Sequence, residues 1–270
     1  MATVEQLERH LASLPNAVLG YSGGVDSAVL AVVGARALGP GRFLAVIGRS
    51  ASYPEVQWRQ AVELAGRFEV PLLEVDTREL ADPDYVANPL NRCFFCKSEL
   101  WRVLGAVAAE RGFDALLDGT NADDLREHRP GAAAGAARKV HSPFVALGWT
   151  KADVRAAALA LGIPTWDAPA APCLSSRIRY GLPVTAERLA QVERAEALIR
   201  GCGVTGDLRV RHLGEIARVE VGPSERSLVE ARWDALRARI LSLGFVEVQL
   251  DAAGYRRGSL LPLAPETAGA

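Results

Sequence analysis

The stretch Ala17-Val18-Leu19-Gly20-Tyr21-Ser22-Gly23-Gly24-Val25-Asp26-Ser27 leads from one short apolar run into another, Ala28 to Ala37. Read in order, these are strand, tight glycine turn and helix. Two glycines let the backbone come close to a ligand. Successive N–H groups then converge on an anion, and the positive end of the helix adds to the field. The stretch predicts a phosphate site at the carboxyl end of a parallel strand.

No lysine follows Gly24, so this is not the G-x-x-x-x-G-K-[ST] loop, and the G-x-G-x-x-G spacing is absent as well. Its form, S-G-G-x-D-S, resembles the PP-loop of enzymes that cut ATP between the α and β phosphates and adenylate a substrate. On that resemblance Asp26 helps hold Mg²⁺, while Ser22 and Ser27 bond phosphate oxygens. The plainer alternative is a glycine turn with Asp or Ser capping a helix.

Working outward, short apolar runs alternate with helical patterns. Strands are expected at Ala17–Tyr21, Phe43–Ile47, Leu72–Val75 and Ala115–Leu117. Helices are expected at Asp26–Leu38, Glu55–Phe68, Lys97–Arg111 and Lys151–Leu161. This alternation predicts βαβ units and a parallel sheet covered on both faces. The pattern fails between Thr120 and Gly148 and again from Pro164 to Pro183, and a long irregular segment beside a sheet is usually functional or mobile. Beyond it, Thr185 can cap a helix to about Arg200. Leu208–His212 and Ile216–Val221 read as a hairpin turning at Gly214, Pro223 to Leu241 as a helix, and Phe245–Leu250 as a last strand. The expected organisation is α/β: a parallel-sheet nucleotide domain over 1–168, a cysteine-bearing linker over 169–184, a smaller α+β domain over 185–258 and a flexible tail over 259–270.

The chain has 270 residues, about half of them apolar, enough for a full core without staples. A formal net charge of −1 gives no electrostatic case for a nucleic-acid or membrane partner. No apolar stretch approaches bilayer length, and the first residues lack a basic segment followed by an apolar one. A cytoplasmic enzyme is expected. Four cysteines in a reducing compartment then point to metal, cluster or nucleophile roles rather than disulfides.

Cys93-Phe94-Phe95-Cys96 precedes the helix expected from Lys97, and Cys173 lies in the proline-rich segment. Zinc would want four ligands; these provide three, with His128 or His141 only conceivable as a fourth. A [4Fe–4S] cluster held by three thiolates leaves one iron open. Buried core cysteine is the bland alternative for each, and the favoured one for Cys202 between Gly201 and Gly203. Arg177, close behind Cys173, would favour a reactive thiolate.

Several segments together resemble one family: Tyr21–Ser27, Asn91–Lys97, Asp118–Asp124 with Arg129-Pro130-Gly131, Pro172–Arg177 with Tyr180-Gly181, and Arg209–Arg211 with Ile216–Glu220. The chain resembles, from about residue 15 to 258, the ATP-dependent pyridinium-biscarboxylate mononucleotide sulfurtransferases, the LarE family, which help build the nickel-pincer nucleotide cofactor of lactate racemase. The resemblance implies that ATP adenylates a substrate carboxylate and that sulfur then displaces AMP. In one branch the cysteine matching Cys173 gives up its own sulfur. In another, cysteines matching Cys93, Cys96 and Cys173 are thought to hold a [4Fe–4S] cluster carrying an extra sulfide, and this chain has all three. The resemblance further implies Gly119 in nucleotide binding, Lys97, Ser176 and Arg177 beside the reacting groups, Arg209 and Arg211 on the substrate phosphate, and a homo-oligomer. Glu196 matches an acidic position that would touch a metal. The bland readings are a solvated strand face for the two arginines and a surface carboxylate for Glu196.

Three other readings compete. A tRNA thiolation enzyme also pairs a PP-loop with cluster cysteines, but needs a broad basic surface. An amidotransferase would need a glutaminase domain. A nucleotide or iron–sulfur sensor would not need Cys173 beside Arg177 together with a complete PP-loop.

Overall fold

The computed structural model describes residues 2–126, 130–169 and 172–261. The chain divides into two compact units, Met1–Glu79 with Cys93–Ala171 and Leu80–Arg92 with Pro172–Ala270.

The first unit opens with α1 (Val4–Ala12), β1 (Ala17–Gly20), α2 (Val25–Leu38), β2 (Phe43–Arg49), α3 (Glu55–Arg67) and β3 (Leu72–Asp76). After α4 (Pro83–Val86), which belongs to the second unit, it resumes at Cys93 with α5 (Arg92–Arg111), whose first residue belongs to the second unit, and β4 (Ala115–Leu117). It closes with α6 (Pro130–Ala137), α7 (Pro143–Ala146) and α8 (Lys151–Ala160). Its four strands are all parallel, in the order β3-β2-β1-β4. The expected parallel sheet is therefore present.

Alternate side chains of the central strands feed two cores, as a pleat with both faces covered requires. Ala17, Leu19, Ala45 and Ile47 pack with α2 and with Phe144 and Val154. Val18, Leu44 and Val46 pack with Trp101 and Leu104 of α5. Nearly all of α2 is buried, which explains why it reads as one apolar run rather than as an amphipathic stripe.

Two expectations fail in instructive ways. The helix expected from Lys97 begins at Arg92, so Cys93 and Cys96 sit in its first turns rather than ahead of it. Arg92 is buried, its Nη1 donating to Asn88 Oδ1 and to Ser175 O (3.0 Å). Those partners of Arg92 are invisible in local sequence. The irregular stretch from Thr120 to Gly148 contains α6, whose alanines favour helix without any apolar period. Arg129 and His128, named above, lie outside the described residues, as does the tail beyond residue 261.

The second unit continues with α9 (Ala186–Arg200), β5 (Leu208–His212), β6 (Ile216–Val221), α10 (Arg226–Glu230), α11 (Trp233–Leu241) and β7 (Glu247–Leu250). Thr185 caps α9, its hydroxyl accepting the Arg188 N–H at 3.2 Å, as expected. β5 and β6 form the expected antiparallel pair, and β7 adds parallel to β6. The single helix expected over Pro223–Leu241 is instead a short 3₁₀ turn, α10 and α11. Arg232 leaves the helical region between the last two, at φ −121°. Val229, Leu236 and Ile240 from the two helices fill one core with Val210, Val219 and Val248 of the sheet.

Residues 80–92 join this unit through hydrogen bonds that local sequence cannot reveal. Asn88 Nδ2 donates to Arg179 O (2.8 Å) and Leu182 O (2.9 Å), and Tyr85 Oη meets Ser175 Oγ at 2.6 Å. Among the described residues, no helix is long and apolar enough to cross a membrane.

Candidate functional site

The turn after β1 is built to bring backbone close to backbone. Gly23 has φ +67°, and a Cβ there would lie 2.5 Å from Ala61 Cβ of α3, so no side chain fits. Tyr21 Oη donates to Ala61 O and Tyr53 Oη to Ser22 O, each at 2.9 Å, bracing the turn from the same side. Ser27 is buried; its hydroxyl donates to Gly24 O (3.0 Å) and accepts the Ser22 N–H (3.2 Å). Ser22 Oγ stands 3.2 Å from Ser27 Oγ, so the two hydroxyls form one pair at the loop. Gly24 precedes α2 and offers no side-chain cap to its first amides. A helix start of this kind suits an anion.

Asp26, in the first turn of α2, is the point where the loop after β4 meets the glycine turn. Lys151 Nζ forms an ion pair with its Oδ2, and Asn121 Nδ2 donates to its Oδ1 at 3.1 Å. Asn121 is buried and accepts the Asp123 N–H (3.0 Å), while Asp123 Oδ2 accepts the Lys151 N–H (2.8 Å). Gly119 lies against this corner. A Cβ on it would stand 3.0 Å from Asp26 Cβ and 3.1 Å from Ser27 N, so glycine is what lets the two loops meet. Lys151 and Asn121 escaped the sequence reading. One signal was available for Lys151: a cation at the first position of a helix opposes the helix dipole and needs another reason to be there.

Beside these elements, at the carboxyl ends of β2 and β3, lies a cleft of about 310 Å³ lined by Arg49, Ser50, Tyr53, Glu55, Trp58 and Asp76. Cys93 is exposed and Cys96 half-buried, one helical turn apart on α5; Lys97 beside them is exposed, its Nζ 6.0 Å from the Trp101 ring.

The second unit holds its own polar centre. Cys173, half-buried, precedes a 3₁₀ turn Leu174–Arg177. Arg177 is buried, and its Nη1 donates to the carbonyls of Pro172 and Cys173 (3.0 Å for the latter) and to Ser176 Oγ (3.1 Å). The guanidinium thus grips the backbone on both sides of the Cys173 peptide. Its other edge meets Glu196, which also accepts the Val210 N–H at 3.0 Å. Arg209 and Arg211 do share one face of β5, but that face is buried, not solvated. Arg211 pairs with fully buried Glu220 at 2.8 Å and donates to Ser176 O at 3.2 Å. Arg209 stacks 5.2 Å over the Tyr255 ring, and burial, reinforced by the Arg177 charge, lowers its pKa. Glu196 is a half-buried partner of Arg177 rather than a surface carboxylate. Cys202 packs against the second core, as a core cysteine should.

The three cysteines named as a ligand set are divided: Cys93 and Cys96 belong to the first unit, Cys173 to the second. Among the described residues, no group of three or more His, Cys, Asp or Glu is gathered to hold a metal ion.

Residues 3–83 match the model of the NAD synthase family. Over longer spans the chain is 39% identical to an uncharacterized protein of Synechocystis sp., across 95% of this chain and 96% of that protein. It is 30% identical to the pyridinium-3,5-bisthiocarboxylic acid mononucleotide synthase of Lactiplantibacillus plantarum, across 93% of this chain and 90% of the synthase. An uncharacterized protein of Methanocaldococcus jannaschii is 25% identical, across 88% and 90% respectively.

Proposed function

This chain belongs to the family of the pyridinium-3,5-bisthiocarboxylic acid mononucleotide synthase, and from that premise we propose that it is an ATP-dependent sulfurtransferase. Its substrate is a pyridinium biscarboxylate mononucleotide, and its product serves nickel-pincer nucleotide assembly. The family relation, which spans nearly the whole chain, carries the proposal. The S-G-G-V-D-S turn at the uncapped start of α2 supports the ATP half.

In the first step a substrate carboxylate oxygen attacks the α-phosphorus of ATP, the bond to the bridging oxygen of the β-phosphate breaks, and pyrophosphate leaves. The amides of Gly23 and Gly24, the first turn of α2 and the hydroxyl of Ser22 hold phosphate oxygens; Ser27 joins them when its O–H turns from Gly24 O, and Gly119 keeps the opposing loop close. Mg²⁺ suits this place: Asp26 supplies one partly exposed carboxylate, and Mg²⁺ commonly takes one or two carboxylates plus phosphate oxygens. When bound, it neutralises charge on the departing pyrophosphate. In the second step a sulfide-level sulfur attacks the acyl carbon, the C–S bond forms, the C–O bond to AMP breaks and AMP leaves. Sulfide gives the thiocarboxylate directly, whereas a Cys173 thiolate gives a thioester whose Cβ–S bond must then break, with loss of the α-proton, to leave thiocarboxylate and dehydroalanine.

Arg209 and Arg211 bind the mononucleotide phosphate in this proposal, which requires its oxygens to take donors that the fold now gives to Leu208 O, Glu220 and Ser176 O. Ser176 and Arg177 shape the backbone around Cys173, and Lys97 reaches for phosphate. Cys173, Cys96 and Cys93 are further proposed to ligate a [4Fe–4S] cluster, since three thiolates leave one iron open. A homo-oligomer belongs to the same proposal. The tRNA-thiolation alternative gains nothing from a net charge of −1.

Incubation with ATP, Mg²⁺ and pyridinium-3,5-biscarboxylic acid mononucleotide should yield AMP, pyrophosphate and a sulfurated nucleotide by mass spectrometry. Absence of AMP under reducing, anaerobic conditions rules the proposal out.

A further inference from the structure

Lys151 occupies a position that helix formation does not explain. It is the first residue of α8, where the dipole disfavours a cation. That helix already has a complete start, since Thr150 and Asp153 form a reciprocal capping box. The Lys151 side chain instead leaves α8 and reaches Asp26 in the first turn of α2.

The ends of this bridge differ in freedom. The Lys151 backbone is pinned by Asp123 Oδ2 at 2.8 Å, and Asp26 is steadied separately by Asn121 at 3.1 Å. The Lys151 side chain is 38% exposed and that of Asp26 23% exposed. Ion pairs with that much water access are weak, so a competing charge can exchange them. A divalent cation at Asp26 competes with the ammonium for the same carboxylate. A triphosphate over the start of α2 brings the anion that would receive it, within reach of a flexible four-carbon stem.

We propose that Lys151 is a catalytic residue with two stations. Without nucleotide it neutralises Asp26; with nucleotide and Mg²⁺ it passes to the phosphates, and its charge offsets the negative charge that builds around the α-phosphorus as the P–O bond breaks. The exchange makes divalent-ion and nucleotide binding depend on each other: neither Asp26 nor Lys151 is left unpaired when both arrive, and the ion alone must displace the ammonium. The proposal rests on the ATP-dependent reading above.

The test uses the full chain, wild type against Lys151→Gln and Lys151→Arg, with two readouts. Mn²⁺ binding to the nucleotide-free protein, followed by electron paramagnetic resonance, should tighten about tenfold in Lys151→Gln, because the competing ammonium is gone. Pyrophosphate–ATP exchange in the presence of the mononucleotide should fall roughly 10²- to 10³-fold in Lys151→Gln, the usual effect of losing one donor at a developing charge, and recover in part in Lys151→Arg. A purely structural lysine would lower thermal stability without tightening Mn²⁺. Unchanged Mn²⁺ affinity together with unchanged exchange overturns the proposal. Wild-type protein that fails to exchange pyrophosphate overturns the ATP-dependent reading instead, while the Mn²⁺ comparison still decides whether Lys151 guards Asp26.

Discussion

Glu196 holds Arg177 by its Nε at 3.0 Å, with the two side chains only 16% and 4% exposed. The same carboxylate oxygen accepts the Val210 N–H, so one side chain ties α9, the turn after Cys173 and β5 together. Removing one partner of a buried pair leaves an uncompensated charge. Glu196→Ala should destabilise the second unit by about 3–5 kcal/mol, read by urea unfolding followed through a probe in that unit. A loss below about 1 kcal/mol, the level of surface ion pairs, would mean that water replaces the carboxylate.

Gly23→Ala should damage both stability and nucleotide binding. The left-handed φ of +67° costs a side chain about 1–2 kcal/mol, and Ala61 stands where the new methyl would go. Calorimetric titration with ATP should show weaker binding, and thermal unfolding a lower midpoint. Gly39→Ala shares the positive φ but has nothing within 4 Å of its Cβ. It should affect the midpoint alone.

His212 gives the fold a pH dependence. Burial, reinforced by the Arg188 charge, lowers its pKa from 6.5 to about 4. The unfolded chain therefore takes up a proton between those values while the folded chain does not. Stability from this group is fully present above pH 6.5 and declines as pH falls toward 4, by roughly 3 kcal/mol in all. Comparing urea midpoints of wild type and His212→Gln across that window isolates the contribution, since the carboxylates titrate in both. Parallel curves would show that His212 is protonated in the fold.

Cysteine variants separate the two sulfur sources. If the three thiolates hold a cluster, anaerobically prepared protein should carry iron and sulfide and absorb in the visible. The Cys93→Ala/Cys96→Ala double variant should lose all three signals. Bound zinc in place of iron would dismiss the cluster. If Cys173 is consumed instead, intact-protein mass after turnover should fall by the mass of one H₂S, leaving dehydroalanine at that position.

The first unit was largely legible in sequence because its signals are local. Continuous apolar runs at Val18–Leu19 and Phe43–Ile47 announce strands covered on both faces, and Ser22-Gly23-Gly24 announces the turn between strand and helix. Thr185 marked its helix start for the same reason: its cap reaches only three residues. What misled was every feature set at long range. Arg92 is buried against Ser175, 83 residues on, and the character of β5 depends on what covers its second face. Arg209 and Arg211 look like solvated charges until Tyr255 and Glu220 are placed against them.

The linear chain, through apolar period and glycine placement, settles that a tight glycine turn joins β1 to α2 and that a second α+β unit follows. Those properties belong to neighbours along the backbone and need no partner. Folding alone settles which charges meet. Lys151 lies 125 residues from Asp26 and Glu196 lies 19 from Arg177. Such pairings exist because buried or crowded charges must find counter-charges wherever packing brings them, and no local pattern carries that information.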